Sequence, residues 1–590
     1  MSESDSPASR GRRIFTALRA AIPFDSDDGR WLALGLLPGV VAIAIYLATN
    51  PYPAYGAGLY AKISAELVAN GYALPARIPG YTADGVPFAY PPLQFYLYAL
   101  LLDIGGDPVA VSRFLPAVGM VTALVPTYLL GRDVAGSRPA GTAAAGLVAL
   151  NPQILEWHLS AGGVVRAFAF CYALVAVYAG YRLFAFDGGA AAPSNNEPGG
   201  NNPSRYPRGL VILGALAFGL TVLTHPVYSL FVVVSYVLFW LLCDRSISGF
   251  LTGLAVGLGG ALLASPWLVW VLTTHGIDVF TAASGTHGGV GGGADALSGA
   301  VSVGTAVALV PAIYLLIRRD YLLPAWLVVV EVLFRQPRFA YTVGAVLIPA
   351  TVVMVVRARD VDRDSTSALD RDSTSAPHPD SGPITDRDSG PATDRKRAGT
   401  ASTPGTRPER TALNADRRAV AAAIVILLGT VVGGAYFAYE TTLVTDPSTP
   451  EFLDRESVEA MAWIQAETDP DATFVAMGDA AEWLPALTDR TLLVGFWGVE
   501  WVDSDRFAQQ EAAYESVSRC QSVACVESIA DDIGERPTHV YVPKGQYTVR
   551  GDTAAQFGTV ERSFERSDRW ERVYENDGVV IYAATGVERS

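Results

Sequence analysis

Long apolar segments, separated by short polar turns, run through most of this chain. A helix needs about 20 apolar residues to cross a bilayer, and eleven segments approach that length. They lie at residues 31–49, 110–131, 139–156, 164–186, 209–224, 227–243, 249–272, 297–317, 321–335, 339–356 and 418–438. The pattern predicts a polytopic α-helical membrane protein with about eleven transmembrane helices.

Arginine residues at the ends of these segments predict which side of the membrane each end faces. With the N-terminus inside, the even-numbered turns collect the positive charge, as the cytoplasmic side of membrane proteins does. These turns contain Arg132 and Arg138, Arg205 and Arg208, Arg245, Arg318 and Arg319, and the Arg-rich stretch after Arg357. We therefore expect a cytoplasmic N-terminus and an extracellular C-terminal domain.

One further apolar run, residues 91–104, is short for a crossing, and counting it as a span would reverse the charge pattern of the later turns. We therefore expect a helix that lies in the outer interface, with an ordinary span as the alternative. This run ends a large outer loop, residues 50–109. The loop is predicted to begin with an amphipathic helix, because Leu59, Ile63 and Leu67 recur on one face.

Composition divides the chain into five parts. Two inner segments, 187–207 and one that repeats Asp-Arg-Asp-Ser-Thr-Ser-Ala from Asp362, are too polar to fold. The predicted parts are a cytoplasmic tail at 1–30, a multi-span membrane domain at 31–357, a disordered cytoplasmic linker at 358–417, the last transmembrane helix at 418–438, and an extracytoplasmic domain at 445–590.

The C-terminal domain is predicted to be a small α/β domain, because helix and strand signals alternate along it. They end in a hairpin that turns at Asn576-Asp577-Gly578. Cys520 and Cys525 could pair across a short loop or stay free, and no His or Cys nearby has the spacing of a zinc site.

This domain is strongly acidic. From Glu440 to the end, 29 Asp and Glu stand against 12 Lys and Arg, while the whole chain carries −15. Such a surface suggests a high-salt habitat, where screening makes self-repulsion tolerable. It also argues against nucleic-acid partners.

Ionisable residues within a membrane domain are candidates for a functional site, because a charge at mid-bilayer costs about 2.5 to 3.5 kcal/mol by insertion scales. Here they gather at the predicted outer ends of the helices, at Arg113, Glu156, His158, Arg166, His225, Arg335 and Arg338. Arg335 and Arg338 defy the charge pattern, and two guanidinium groups suit the phosphate of a lipid. Salt bridges to Glu331 or to the acidic domain are the alternative.

The first outer loop adds aromatic rings and a carboxylate, at Tyr81, Asp84, Phe88 and Tyr90. Rings that stack on sugar faces, with an acid that handles the acceptor proton, make a sugar-binding cleft. An interfacial aromatic belt would use the same residues. No two His residues have the spacing of metal ligands, although a divalent cation stays possible.

Several motifs occur in the order seen in one superfamily of membrane enzymes. They are Tyr60-Ala61-Lys62-Ile63-Ser64-Ala65-Glu66, Gly71, Pro75, Tyr90-Pro91-Pro92-Leu93, Arg113 with Pro116, Asn151-Pro152, Ser265-Pro266-Trp267, Arg335 to Arg338, Ala481-Glu482-Trp483-Leu484-Pro485, Asp489-Arg490 and Trp497-Gly498-Val499-Glu500-Trp501. The chain thereby resembles the glycosyltransferase C (GT-C) superfamily, particularly the enzymes related to dolichyl-phosphate-mannose protein mannosyltransferase and aminoarabinose transferase.

The resemblance implies a membrane glycosyltransferase that takes a sugar from a polyprenyl-phosphate donor and transfers it to a glycan, lipid or protein on the outer face. It implies a donor-phosphate site at Arg113, Arg166, Arg335, Arg338, His158 and His225. It also implies aromatic contacts with sugar or acceptor at Tyr60, Tyr90, Trp483, Trp497 and Trp501.

One departure from the resemblance concerns the presumed catalytic base. The family usually has an Asp four residues before the tyrosine, where this chain has Gly56, followed by Ala57. Either Asp84, Glu156 or Glu66 substitutes, or the acceptor needs little assistance from a base, or transfer activity has been lost.

The last possibility would make the chain a binding or assembly subunit of a surface glycosylation pathway. A transporter is the third hypothesis, but the charges crowd one face and the spans show no internal repeat.

Overall fold

The computed structural model of this protein describes Thr16 and residues 22–185, 206–286, 303–373, 450–556 and 558–586. The predicted last span at 418–438 lies outside the described residues. So do most of the two low-complexity segments.

The described membrane domain consists of helices that follow the apolar segments. They are α1 (Ser26–Thr49), α2 (Gly58–Ala69), α3 (Leu93–Asp103), α4 (Pro108–Ala135), α5 (Arg138–Leu150), α6 (Pro152–Leu159), α7 (Gly163–Phe184), α8 (Arg208–Val222), α9 (Pro226–Cys243), α10 (Ile247–His275), α11 (Asp278–Thr286), α12 (Val303–Ile317), α13 (Leu322–Phe334) and α14 (Pro337–Ser373). Within the described ranges, six are long and apolar enough to cross a membrane: α1, α4, α7, α9, α10 and the Pro337–Ala358 part of α14. The chain is thus a multi-pass membrane protein.

Two of the predicted boundaries differ from the structure. The segment 139–156 is divided into α5 and α6, because Pro152 starts a new helix whose Ile154 amide donates to the side chain of Asn151 at 3.2 Å. Helix α14 continues to Ser373, past residue 358, where the sequence predicts a linker to begin.

The run 91–104 forms α3, which has 11 residues and is therefore only about 16 Å long. The hydrocarbon core of a bilayer is about 30 Å thick, so α3 cannot cross it. The amide of Leu93 donates to the carbonyl of Leu223 at 3.0 Å, which ties the start of α3 to the end of α8.

Charged residues at one end of the helix bundle form a largely buried network. Arg132 pairs with Asp28 at 2.9 Å and with Asp133 at 2.7 Å, and Arg182 also pairs with Asp133 at 2.9 Å. A cavity of about 650 Å³ at this end is lined by Arg245, Arg318, Arg319 and Arg357. Arg357 also donates to the carbonyl of Gly136. Arginines predicted to face the cytoplasm therefore share this end, which we call the linker end.

The C-terminal domain is α/β, as predicted. Its helices are α15 (Arg455–Glu467), α16 (Leu484–Thr488), α17 (Ser504–Val517), α18 (Val523–Asp532) and α19 (Thr559–Glu565), with short 3-10 helices at Asp479–Trp483 and Val499–Trp501. Its strands are β3 (Thr473–Ala476), β4 (Thr491–Leu492), β5 (His539–Pro543), β6 (Gly545–Val549), β7 (Asp552–Gln556), β8 (Trp570–Glu575) and β9 (Val579–Ala584), while β1 (Arg77–Ile78) and β2 (Val86–Pro87) lie in the first loop.

Five of the strands form a mixed sheet in the order β4-β3-β5-β9-β8, and β6 and β7 form a separate hairpin. Strand β3 is parallel to β4 and β5, whereas β9 is antiparallel to β5 and β8. The predicted hairpin joins β8 to β9, where the side chain of Asn576 accepts the amides of Gly578 and Val579. Cys520 and Cys525 form a disulfide between α17 and α18.

The first loop and the C-terminal domain pack into a single hydrophobic core, which includes Leu59 and Phe88 of the loop and Trp483 and Leu492 of the domain. Backbone hydrogen bonds also join them, because Thr82 donates to Leu492 at 2.9 Å and Leu492 donates to Gly80 at 2.8 Å. The domain is therefore held against this loop rather than tethered loosely to it.

Candidate functional site

Two guanidinium groups lie over the ring of Trp157, on the last turns of α6. The Cζ atom of Arg166 lies 4.8 Å from the ring centroid, and that of Arg338 lies 4.9 Å from it. Arg166 is in the first turn of α7 and Arg338 in the first turn of α14, so three helices bring these residues together. A cation is attracted to the face of an aromatic ring at this distance. Both positive charges therefore lie within 5 Å of the centre of one ring, and we call these two residues the arginine pair.

A buried layer of polar and aromatic groups supports Arg338. Arg338 is only 6% exposed, and its guanidinium donates to the side-chain oxygen of Gln336 and lies 5.8 Å from the ring of Tyr228. The Tyr228 hydroxyl is 2.7 Å from His158 Nε2, and His158 Nδ1 is 2.6 Å from the carbonyl of Ile154. Both nitrogens of His158 thus have partners, and the ring fixes Tyr228 beside Arg338.

Glu156 lies one residue before the ring that carries the arginine pair. It accepts a hydrogen bond of 3.2 Å from the hydroxyl of Tyr55, which follows α1 in the first loop. Burial and then the charge of Glu156 raise the pKa of the Tyr55 hydroxyl, while Arg166 opposes the shift. Tyr55 also contacts Phe452, and its amide donates to the carbonyl of Pro450 at 2.7 Å. The arginine pair and the C-terminal domain therefore lie at the same end of the bundle, the domain end.

The remaining predicted donor residues have different surroundings. Arg113 donates to the carbonyl of Leu47 in the last turn of α1, while its Nε is buried without a partner among the described residues. Arg335 ends α13 with a φ of 51° and is exposed. His225 precedes α9 with its ring 5.2 Å from that of Tyr228. Only Arg166 and Arg338 of the predicted arginines share an aromatic ring in the described part of the chain.

Two of the three predicted catalytic carboxylates are held in ion pairs. The Asp84 side chain is 69% exposed and lies 3.2 Å from Arg506 of α17. Glu66 lies 3.0 Å from Lys62, which is on the preceding turn of α2. Glu156 is thus the predicted acid that the structure places beside the arginine pair.

The predicted aromatic residues divide into two groups. Tyr90 packs edge-to-face on Trp501 at 4.8 Å and on Tyr60 at 5.9 Å, close to the junction of the two domains. Trp483 is fully buried and leaves no ring face for a sugar. Trp497 stacks on Phe496 at 4.6 Å and is half-buried.

A cluster of buried carboxyl groups lies at the junction between the domains. Glu482 is 6% and Glu500 is 5% exposed, and Glu500 accepts a hydrogen bond from the Tyr90 hydroxyl. Burial, reinforced by the nearby charge of Asp479, raises the pKa of Glu482 to about 8, although the amides of Leu59 and Gly58 donate to it. Glu482 can therefore change its protonation state near neutral pH, where an ordinary carboxyl group is already ionised.

Sequence reasoning did not assign Trp157, Tyr228 or Glu482 to the site. The sequence does contain a signal for Trp157, since it lies between Glu156 and His158, two predicted site residues. Glu482 lies in the motif Ala481 to Pro485, but nothing local indicates that its side chain enters the other domain. In the described part of the chain, no group of three His, Cys, Asp or Glu residues could hold a metal ion.

The comparisons with known proteins concern the fold. No protein-family model and no curated protein matches this sequence. Among solved structures, ArnT from Cupriavidus metallidurans bound to undecaprenyl phosphate has 13% identity and a TM-score of 0.52 over 94% of this chain and 98% of that chain. The archaeal oligosaccharyltransferase AglB from Archaeoglobus fulgidus, in complex with an inhibitory peptide and a dolichol-phosphate, has 14% identity and a TM-score of 0.51 over 87% of this chain and 69% of that chain.

The chain has the GT-C fold. The arabinofuranosyltransferase AftD from Mycobacteria shares it, with 15% identity and a TM-score of 0.52 over 94% of this chain and 40% of that chain. At these identities the likeness shows the fold alone. It confirms the predicted fold class, a polytopic helical GT-C-like membrane domain with a C-terminal soluble domain.

Proposed function

We propose that this protein is a membrane glycosyltransferase that transfers a sugar from a polyprenyl-phosphate donor to a hydroxyl group of a glycan, lipid or protein. The observation that carries the proposal is the arginine pair on Trp157, at the end of a GT-C-like bundle where the C-terminal domain packs. The similar structures support the donor class, because AglB was solved with a dolichol-phosphate and ArnT with undecaprenyl phosphate.

In this proposal the donor phosphate binds at the arginine pair. Its two non-bridging oxygens, which share the negative charge, suit the planar donor groups of Arg166 and Arg338, while Arg335, His225 and Arg113 would add secondary contacts. During transfer the acceptor oxygen attacks the anomeric carbon, the bond from that carbon to the phosphate oxygen breaks, and polyprenyl phosphate leaves. The arginine pair would stabilise the negative charge that develops on the leaving phosphate.

Glu156 has a positioning role in the proposal. It is adjacent to Trp157 and is bonded to Tyr55, so it links the donor site to the first loop. The C-terminal domain, with the half-buried Trp497, would contribute to acceptor binding. The domain end would face the outside and the N-terminus the cytoplasm, as the arginine pattern predicts.

The experiment measures binding of dolichol phosphate to the purified full chain in detergent. Arg338→Ala and Arg166→Ala should each weaken binding at least tenfold, as loss of a charged hydrogen bond predicts, about 1.5 to 3 kcal/mol. Arg338→Lys, which keeps the charge but loses the planar fork, should bind more weakly than the wild type. Arg245→Ala is the matched control, since it removes an arginine at the linker end.

Unchanged binding in both alanine variants would contradict the donor site. Donor turnover is then measured with dolichyl-phosphate-linked radiolabelled hexose, as release of dolichol phosphate. Tight binding with no turnover would favour the second hypothesis, a binding or assembly subunit. The reason to consider this hypothesis is that Gly56 stands where the resemblance implies a catalytic acid. The divalent cation stays a prediction, and turnover with and without EDTA tests it.

A further inference from the structure

A carboxyl group of the C-terminal domain occupies the space of a side chain that the first loop lacks. A Cβ atom built on Gly56 would lie 1.6 Å from Glu482 Oε2 and 2.8 Å from Oε1. Those separations are far inside van der Waals contact, so Glu482 and a side chain at position 56 exclude each other. We propose that Glu482 is the base that accepts the proton of the acceptor hydroxyl, entering the first loop from the other domain.

Local structure explains how Glu482 reaches this position. A Cβ atom on Gly58 would lie 2.0 Å from the Glu482 carbonyl oxygen, so the close approach depends on two glycines. The Tyr81 hydroxyl donates to that carbonyl at 2.6 Å, and the amides of Gly58 and Leu59 donate to the carboxyl group. Three contacts from the first loop therefore fix both the backbone and the side chain of Glu482.

The first loop connects Glu482 to the donor site. The Glu482 carboxyl group approaches Gly56, and the adjacent Tyr55 donates a hydrogen bond to Glu156, the neighbour of Trp157 in the chain. Tyr60, which is half-buried, is influenced by the charges of Arg166, Glu482 and Glu500. Glu482 is therefore linked to the arginine pair through Gly56, Tyr55 and Glu156, whereas Asp84 and Glu66 are paired with cations. Within the described ranges no cation forms an ion pair with Glu482, and a carboxylate without such a partner suits proton removal from an acceptor.

The step balances without any added reactant. The acceptor oxygen forms the bond to the anomeric carbon, the bond to the phosphate oxygen breaks, and the acceptor proton passes to the Glu482 carboxylate. Polyprenyl phosphate leaves with the bonding electrons. This inference rests on the proposed function, because it assigns the base of that reaction.

Removal of the Glu482 charge without change of shape is the first test. In full-length protein with dolichyl-phosphate-linked radiolabelled hexose and a short oligosaccharide acceptor, Glu482→Gln should lower turnover by about 100-fold or more. Binding of dolichol phosphate should not change, because the arginine pair is intact. Glu575→Gln, the same substitution at the surface of the C-terminal domain, is the matched control.

The second test moves the carboxyl group from position 482 to position 56. Gly56→Asp should destabilise the protein when Glu482 is present, because both carboxyl groups need one space. The backbone of Gly56 is outside the left-handed region, so an aspartate fits there once Glu482 is shortened. The double variant Gly56→Asp/Glu482→Ala should therefore recover stability, and it should turn over donor at least about tenfold faster than Glu482→Ala.

The pH dependence of turnover gives an independent measurement. The groups that face Glu482 are Asp479, Glu500, Tyr60, Tyr81 and Tyr514, together with the amides of Gly58 and Leu59. Because Glu482 must be ionised to act as a base, wild-type turnover should rise with pH through a pKa of about 8. The rise should be absent in Glu482→Gln.

The outcomes separate the two proposals. Wild-type turnover that survives Glu482→Gln would overturn the role of Glu482 and leave the proposed function standing. A Gly56→Asp protein that is stable and fully active would contradict the claim that the two carboxyl groups need the same space. No turnover in the wild type, despite binding of dolichol phosphate, would overturn the proposed function and the role of Glu482 within it.

Discussion

Lys62 of the first loop and Asp489 of the C-terminal domain form an ion pair of 2.7 Å across the junction of the two domains. The Lys62 side chain is 7% exposed and also pairs with Glu66, whereas Asp489 is 70% exposed. Burial of Lys62 lowers its pKa, but the two carboxylates more than compensate and hold the pKa above its ordinary value. The pair is therefore asymmetric, with one buried partner and one in water.

This asymmetry predicts unequal effects of substitution on stability. Asp489→Asn should lower the free energy of unfolding by at most about 1 kcal/mol, because exposed ion pairs contribute little to stability and Glu66 still neutralises Lys62. Lys62→Ala should lower the free energy of unfolding by about 3 kcal/mol. It leaves a buried cavity, and it removes the cation that pairs with Glu66. Thermal unfolding of both variants in detergent measures the difference. Equal effects would show that the pair, rather than the buried lysine, carries the stabilisation.

The arginine pair predicts that an uncharged residue matters for phosphate binding. Trp157→Leu should weaken binding of dolichol phosphate by about 1 to 2 kcal/mol, or roughly 5- to 30-fold, because both guanidinium groups lose the ring that positions them. Trp240→Leu, the same change near the linker end, is the control. Identical binding in Trp157→Leu would mean that the arginines are positioned by their other contacts.

Glu156 and Asp84 are predicted to behave differently in the turnover assay. Glu156→Gln should weaken donor binding more than it lowers turnover at saturating donor, because its contact to Tyr55 positions the donor site. Asp84→Asn should leave turnover within about twofold, since an exposed ion pair contributes little. A loss of turnover in Asp84→Asn, with Glu156→Gln unaffected, would reverse the assignment.

The carboxyl cluster predicts that the protein is less stable at high pH. In the unfolded chain Glu482 ionises near its ordinary pKa of 4.5, while burial raises the folded pKa to about 8. Between those values the folded state holds a proton that the unfolded state has lost. The free energy of unfolding should therefore fall as pH rises through this window, by at most about 1.4 kcal/mol per pH unit.

Above the upper value this contribution should level off. Glu451, whose pKa burial raises to about 7, acts in the same direction and remains in every variant. Thermal unfolding at pH 5 and pH 9 should show a smaller difference in Glu482→Gln than in the wild type. A difference of the same size in both proteins would assign the pH dependence to other groups.

Hydropathy and the arginine pattern predicted much of the membrane domain because each depends on residues near one another in the chain. Arg132, Arg319 and Arg357 do gather at one end, and Arg338 lies at the other with the C-terminal domain. The division at Asn151 could have been predicted, since Pro152 with a preceding side-chain cap is a helix start. The continuation of α14 to Ser373 could not, because the polar repeat there has the composition of a linker.

The candidate site was harder to predict because its contacts connect distant parts of the chain. Arg166 and Arg338 meet only through Trp157, and no local pattern indicates that one ring serves both. Glu482 was visible in a motif, yet its position depends on the absence of a side chain at Gly56. The missing acid at position 56 therefore left a substitute base, an acceptor that needs little base assistance and a lost activity all open, and Glu482 was not among the substitutes considered.

Mutual exclusion between Gly56 and Glu482 has an evolutionary consequence. A lineage could move the acid from one domain to the other only by changing both positions. An intermediate with two acids would not fit, and an intermediate with none would lack the base. Sequences descended from a common ancestor should consequently fall into two sets, those with an acidic residue at position 56 and a small residue at 482, and those with the opposite arrangement. Such paired variation would mark the branch to which a newly found homologue belongs.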